Sequence, residues 1–251
     1  MNKSEFEKIK NIERPQKELI EKLKKVGTAT ASGELNKLGI KDCFIQGPVS
    51  WTPGKVIAGP AITLQFLPIR EDVFQDNQQM DPELQYHRHA LYIAEEGDVV
   101  VVDARGNLRS GVFGDMMLTY FQGKGGEGIV IDGAIRDFTH AKDLDLGMWL
   151  RGVTPNYHTQ TSIFPNAVNI PIACGGVLVN PGDIIIADDD GAVVVPKTLA
   201  KELAENASGH SEWEIFARKK LSEGGELKNF YPRIAWSNET ENEYETWLNN
   251  K

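Results

Sequence analysis

The stretch Gly128-Ile129-Val130-Ile131-Asp132-Gly133-Ala134-Ile135-Arg136-Asp137 decides the fold. A short apolar run bounded by glycines reads as a strand buried on both faces. It delivers a fixed cation and a hard oxygen ligand, Arg136 and Asp137, to its C-terminal edge. A second such run lies upstream, in Asp98-Val99-Val100-Val101-Val102-Asp103. Between the two stands Gly111-Val112-Phe113-Gly114-Asp115-Met116-Met117, a glycine-punctuated turn running into an apolar stretch that ends at Gly123. That segment predicts a loop opening a buried helix, whose first amides are free to hold a carboxylate or phosphate. A helix start, a guanidinium and two carboxylates at one edge suit metal-assisted chemistry on a small α-keto acid.

Further strands are predicted at Val56–Ala58, Ala61–Phe66, Met148–Arg151, 168–170 and Val177–Val179. Glu96–Asp103 is echoed by Pro181-Gly182-Asp183-Ile184-Ile185-Ile186-Ala187-Asp188, each a turn, an aspartate and an apolar strand ending in aspartate. Thr28–Gly39 reads as a short helix with Ser/Thr caps and a glycine stop. Residues 84–95 return to helical spacing, and Arg70–Glu83 reads as a long polar surface loop. Asp188-Asp189-Asp190-Gly191 lacks the register and closing glutamate of a calcium loop and is predicted to be a hairpin turn. Beyond Pro196 the pattern turns helical (Leu199–Asn206, Trp213–Leu221) and ends in a polar tail carrying Trp236, Tyr244 and Trp247. These aromatics are expected to dock on a neighbouring subunit or to pack on their own domain. The class expected is α/β with mixed sheets and outer helices. It divides into a helical N-terminal extension (1–27), a central domain (28–232) and a tail (233–251).

Composition narrows the functional classes. With 251 residues, 41% of them hydrophobic, the chain can bury a full core. A net charge of −9 with scattered Lys and Arg argues against a nucleic-acid surface. No signal-peptide core or membrane-length apolar run is present, so a cytoplasmic protein without membrane contact is expected. Cys43 and Cys174 have neither metal spacing nor a disulfide pattern. Walker, dinucleotide-binding and serine-elbow motifs are absent from the sequence.

At Gly114-Asp115, Arg136-Asp137 and Cys174-Gly175-Gly176-Val177-Leu178-Val179-Asn180-Pro181-Gly182-Asp183 the chain resembles the RraA-like superfamily. That superfamily includes the class II, metal-dependent 4-hydroxy-4-methyl-2-oxoglutarate aldolases. Gly59-Pro60-Ala61-Ile62-Thr63 and Asp188–Pro196 extend the resemblance, which covers 28–232. It implies an αββα sandwich of the swivelling β/β/α type. It also implies a homotrimer or homohexamer with sites between subunits, and Mg²⁺ or Mn²⁺ as cofactor. The aldolases carry an aspartate upstream of the Arg-Asp pair where the RraA regulators of ribonuclease E carry glycine. Asp115 therefore groups this chain with the enzymes. His140 departs from the acidic residue common three positions after the pair.

The resemblance assigns roles residue by residue. Asp137 becomes the metal ligand, against the plainer reading of a loop aspartate beside an arginine. Asp115 orients a water on the metal, or simply stabilises a helix start. Arg136 meets the keto oxygen that becomes an enolate, worth about 3 kcal/mol for one such donor, or forms a salt bridge to Asp115 or Asp137. Gly114, Met116 and Met117 supply the turn and the amides for the substrate's C1 carboxylate, with the methionine side chains as core filler. Glu34 reaches the site from an adjacent subunit to handle the distal hydroxyl's proton, or is an exposed helix residue. His140 and His158 are further candidates for the site, whereas His87 and His89 are predicted to point to different faces. The implied reaction is carbon–carbon cleavage of a 4-hydroxy-2-oxo acid to pyruvate and a second carbonyl compound, with oxaloacetate decarboxylation alongside. The competing readings are a ribonuclease-binding regulator and a lyase or isomerase acting on a sugar-derived keto acid.

Overall fold

One strand joins the two halves of the main sheet. In the computed structural model, which describes residues 6, 8–70, 72, 81–157 and 162–250, β2 (Ile57–Pro68) runs unbroken through Gly59-Pro60. The sequence predicts two strands with a gap there. The first residues of β2 pair antiparallel with β9 (Ile184–Asp188). Its middle pairs parallel with β3 (Val99–Gly111), and its end antiparallel with β6 (Ile163–Val168). Pro60 sits where the partner changes, so its missing N–H removes little from either ladder. Gly59 is needed for close approach, since a Cβ there would lie 2.1 Å from the carbonyl oxygen of Gly97.

From β2 the sheet continues in parallel through β3, β4 (Gly128–Ile135) and β5 (Gly147–Val153). β1 (Val49–Ser50) then adds to β5, and β10 (Gly191–Val195) to β9, both antiparallel. The strand order is β1-β5-β4-β3-β2-β9-β10, with β6 also on β2. β1 and β10 pack against each other, so this mixed sheet is nearly closed. A separate hairpin, β7 (Ile172–Cys174) with β8 (Val177–Val179), completes the strands. The fold is the mixed α/β class that the sequence predicts.

β4 is apolar throughout because both its faces are covered. Ile129 and Ile131 face a core shared with Leu118 and Phe121 of α4 (Asp115–Gly123) and with Ala90 and Leu91 of α3 (Tyr86–Tyr92). Val130 faces the other way, into a core built with Val101, Trp149, Ile185, Ala192, Val194 and the β7–β8 hairpin. Ahead of the sheet come α1 (Lys17–Val26) and α2 (Thr28–Lys37). The predicted Ser/Thr cap of α2 is not what the structure holds. Gly27 occupies the cap position, and Asp188 accepts bonds from the Thr28 amide at 2.9 Å and hydroxyl at 2.6 Å. Asp188 lies at the end of β9, and Asp189-Asp190 makes the predicted hairpin turn into β10. Most of the predicted 70–83 loop lies outside the described residues.

The aspartate echo proves to be one turn used twice, on the two strands that flank β2. Asp98 accepts the Glu95 amide at 2.8 Å, and Asp183 accepts the Asn180 amide at 2.9 Å, each three residues back. Asp98 is fully buried and paired with Arg14 through bonds of 2.7 and 2.9 Å. Burial raises its pKa, while Arg14 and the Glu95 amide pull it back down.

The chain forms two compact units, Met1–Leu203 and Ala204–Lys251, joined within α6 (Ala200–Asn206). The second unit carries α7 (His210–Ser222), α8 (Leu227–Phe230) and α9 (Asn238–Asn249). Trp213, Phe216 and Tyr244 form its core, with Phe230, Trp236 and Trp247 packed on it. The tail's aromatics therefore pack within their own unit, and its last residues are a helix rather than a polar tail. Ser237 caps that helix through the Thr240 amide at 3.2 Å. Among the described residues, no helix is long and apolar enough to cross a membrane.

Arg14→Met strands a buried carboxylate and should destabilise the first unit by about 3–5 kcal/mol, the range for breaking a buried pair. Denaturant titration should show most of that loss recovered when Asp98→Asn is added, since the amide oxygen still accepts from Glu95. A loss unchanged by Asp98→Asn would mean that Arg14 acts through its other contacts.

Candidate active site

The end of β3 and the loop after it are zipped onto the end of β4. The Val112 amide donates to the Ala134 carbonyl, and the Arg136 amide to the Phe113 carbonyl, both at 3.0 Å. These bonds carry the strand ladder past its last paired residues and lay Gly114 against the Arg-Asp pair. A Cβ at Gly114 would lie 2.8 Å from Asp137 Oδ2 and 3.1 Å from Arg136 Nε. At Gly111 it would meet the Asn156 carbonyl oxygen at 2.6 Å and Arg136 Cβ at 2.8 Å. Packing against backbone demands glycine at 111, and glycine at 114 lets the Arg136 and Asp137 side chains lie close.

Asp137 has left-handed backbone angles, φ 58° and ψ 29°, which aspartate tolerates better than most residues. It caps the single turn α5 (Phe138–Ala141), and its carbonyl accepts the His140 and Ala141 amides. Its Oδ2 pairs with Arg136 Nε at 2.9 Å. Of the ion pairs open to Arg136 from the sequence, the one with Asp137 is formed.

Asp115 and Gly114 open α4 as predicted, at the carboxyl end of the parallel strands, where open α/β sheets bind ligands. A cavity of about 350 Å³ lies there, lined by Gly114, Asp115, Met116, Met117, Arg136 and Asp137 together with Gly111, Val112, Pro82, Gln85, His87, Arg88 and Tyr157. The predicted catalytic, anion-binding and metal-binding positions thus share one pocket, apart from Glu34.

Several details depart from the sequence reading. The Met116 amide donates to Asp115 Oδ1 at 2.8 Å, and the Met117 amide to the Gly114 carbonyl at 3.1 Å. Neither is directed at a ligand in this state. Among the described residues, no hydrogen bond engages the Gly114 and Asp115 amides at the very start of the helix. Met116 is not core filler but 74% exposed, because α4 buries only the Leu118 and Phe121 face; Met117 does pack on the core.

Glu34 is neither exposed nor at the pocket of its own chain. It is 7% exposed on α2, which packs against β9 and β10, and it pairs with Lys37 at 2.6 Å. His140 is exposed and outside the pocket lining, and His158 lies outside the described residues. His87 and His89 do face different ways. His87 is buried and lines the pocket, whereas His89 stacks on Phe6. The sequence reading passed over Arg88, Tyr157 and His87 as pocket residues. The signal available was the basic run His87-Arg88-His89 on a helix leading into a parallel strand.

Two carboxylates, Asp115 and Asp137, border the pocket, and no cluster of three or more His, Cys, Asp or Glu side chains able to hold a metal exists among the described residues. That donor set fits a hard cation such as Mg²⁺ or Mn²⁺, which takes one or two carboxylates and fills its other positions with water and substrate oxygens. It does not fit a zinc centre, which takes three or four nitrogen, sulfur or carboxylate ligands from the protein. The thiols stand apart from this chemistry. Burial pushes Cys174 far above the usual thiol range, with the nearby charge of Asp132 adding to the shift. Asp132 itself pairs with Arg151 away from the pocket.

Comparison with known proteins places the chain in a family. The family model described as RraA-like, Aldolase/RraA, matches residues 28–194. A Halalkalibacterium halodurans protein named "Putative 4-hydroxy-4-methyl-2-oxoglutarate aldolase" is 40% identical over 118 residues, 47% of this chain and 55% of that relative. The match therefore spans about half of that relative's length. The crystal structure of Streptomyces coelicolor RraAS2, titled an unusual member of the RNase ES inhibitor RraA protein family, is 44% identical. It superposes with a TM-score of 0.73, covering 82% of this chain and 98% of that one. An uncharacterized protein from Pseudomonas syringae pv. tomato is 26% identical with a TM-score of 0.73, covering 87% of this chain and 95% of that one. With its family model matched over residues 28–194, most of the first unit, the chain belongs to the RraA-like family.

Proposed function

We propose that this chain is a class II pyruvate aldolase, a carbon–carbon lyase that cleaves a 4-hydroxy-2-oxo acid to pyruvate and a second carbonyl compound. The observation that carries this reading is the approach of Asp115 and the Arg136-Asp137 pair across Gly114, in one pocket at the opening of a helix. The aldolase name of the Halalkalibacterium relative supports it.

Asp137 would be the carboxylate that holds Mg²⁺ or Mn²⁺, and Asp115 would orient a water beside it. When bound, such a cation supplies a Lewis acid that polarises the oxygens of a keto acid. The amides that open α4 bind the C1 carboxylate, aided by the positive end of the helix. Arg136 donates to the C2 keto oxygen, where negative charge develops as the C3–C4 bond breaks. The electrons of that bond pass into the pyruvate enolate, and the C4 hydroxyl becomes a carbonyl as its proton leaves. Asp115 relays a proton to C3 through a water, which completes pyruvate. Glu34 accepts the hydroxyl proton from its place in a neighbouring subunit of a homotrimer or homohexamer. Oxaloacetate decarboxylation passes through the same enolate and accompanies cleavage.

A second reading, a regulatory protein that binds a ribonuclease, is favoured by the 44% identity to RraAS2. It requires neither Asp115 nor a metal. Inhibition of a ribonuclease that survives both EDTA and Asp115→Asn would support it.

Purified protein with Mg²⁺ or Mn²⁺, screened against 4-hydroxy-2-oxo acids with lactate dehydrogenase as coupling enzyme, should release pyruvate. EDTA should abolish the activity and added metal restore it. Full activity in EDTA, with pyruvate trapped on a lysine by borohydride, would sink the reading.

Asp137→Ala should lose Mn²⁺ binding by calorimetry. Asp115→Asn should retain most of the binding yet lose turnover, because an amide cannot relay the proton. Equal loss of metal in both variants would show that the two roles are wrongly divided.

For Arg136→Lys the ammonium keeps the charge but loses the planar fork. Here kcat should fall about a hundredfold or more, with a smaller rise in KM. Decarboxylation of oxaloacetate should fall in parallel. Decarboxylation that survives while cleavage disappears would move Arg136 to the distal part of the substrate.

A further inference from the structure

The pocket wall carries apolar surface that the protein's own core does not use. α4 buries Leu118 and Phe121 and turns Met116 outward, 74% exposed. Tyr157, 41% exposed, comes from the segment after β5 and lines the same cavity. The backbone beneath that ring is held at several points. The Thr154 amide donates to the Ile135 carbonyl at 2.9 Å, and the Gly111 amide to the Asn156 carbonyl at 3.0 Å. The Asn156 side-chain amide donates to the Arg109 carbonyl at 3.1 Å, and Tyr157 itself bridges to Gly111 in parallel register. A flexible thioether and an aromatic ring on a fixed backbone, in the wall of one cavity, make a surface that adapts to apolar groups.

The charges of the wall point the same way. Arg88 pairs with Glu83 at 3.1 Å and Arg136 with Asp137 at 2.9 Å. Among the described residues, the lining holds no further arginine or lysine. A second carboxylate on a substrate would therefore compete with Glu83 or Asp137 for a cation. An uncharged apolar group meets no such competition, and it gains by covering Met116 and Tyr157.

We infer that Met116 and Tyr157 are specificity-determining residues that pack against the substituent on C4 of the substrate, so that the pocket prefers a 4-hydroxy-2-oxo acid with an uncharged apolar group at C4 to one with a carboxylate there. The inference rests on the reading of this pocket as a keto-acid site. It assigns the two side chains to recognition and not to bond breaking.

The test compares cleavage of 4-hydroxy-2-oxo-4-phenylbutanoate and 4-hydroxy-2-oxoglutarate by the full chain with Mg²⁺, read as the ratio of the two kcat/KM values. In the unaltered protein the phenyl substrate should be favoured about tenfold or more, within the range that an apolar pocket can supply. Met116→Gln and Tyr157→Ser should each lower that ratio about threefold or more, and Met116→Leu should keep it. A ratio that stays unchanged while both substrates fall together, or an oligomeric state altered in either variant, would make these side chains structural and overturns the inference. A preference of the unaltered protein for 4-hydroxy-2-oxoglutarate overturns it as well. Exchange of the pyruvate methyl protons in D₂O, followed by NMR, involves no C4 group and tests the keto-acid reading separately. Exchange without cleavage of either substrate leaves that reading standing and sinks this one. If neither exchange nor cleavage occurs, the keto-acid reading falls and the roles of Met116 and Tyr157 fall with it.

Discussion

The contact on which the site depends is the seating of Gly111–Gly114 against Arg136 and Asp137. Two backbone hydrogen bonds extend the β3–β4 ladder beyond its paired residues, and two glycines remove the side chains that would hold the loop away. That approach aims the opening of α4 at the cation and carboxylate on the end of β4. It depends in turn on the sheet, because β3 and β4 keep their register through Val99–Val102 and Gly128–Ile131 before it shifts. Side chains packed on both faces of these strands hold that register.

Buried charge in the first unit is organised by the same economy of backbone bonds. Asp98 and Asp183 close equivalent turns on either side of β2, and Asp188 closes the start of α2 from the end of β9. Each carboxylate accepts a backbone amide at a turn or a helix start. Asp103 shows the cost of such burial, for desolvation raises its pKa and the charge of Asp132 adds to it. The pocket carboxylates differ in kind. Asp137 is partly open, with one oxygen tied to Arg136.

Membership of the RraA-like family does not by itself choose between catalysis and regulation, since the relatives carry both aldolase and RNase-inhibitor names. The distinction lies in the site and not in the fold. The proposed aldolase reading uses Asp115 and the Arg136-Asp137 pair, whereas the regulatory reading does not require them. The C-terminal unit lies beyond the matched segment of 28–194. Its aromatic cluster, with Arg233 over the rings of Trp236 and Tyr244 at 5.4 and 5.0 Å, gives it a core of its own.

Much of the fold was legible in the chain because its signals are local. Continuous apolar runs at 99–102 and 129–131 state that a strand is covered on both faces. Glycine followed by Asp115 marks a helix opening, and Asp188–Gly191 marks a hairpin. Ser237-Asn238-Glu239-Thr240, with Tyr244 and Trp247 at helical spacing, carried the last helix too, although polarity obscured it. What the sequence by itself determined was the α/β class, the family's signature segments and the residue types of the pocket. Tertiary structure alone decided that β2 is one strand shared among three partners, that Asp188 caps α2, and that the Met116 and Met117 amides are already engaged. It alone brought Arg88 to the pocket and kept Glu34 away from its own chain's pocket. The physical reason is range. Propensity and periodicity act over a few neighbouring residues, whereas these pairings join groups far apart in the chain, and only the register and closure of the sheet bring them together.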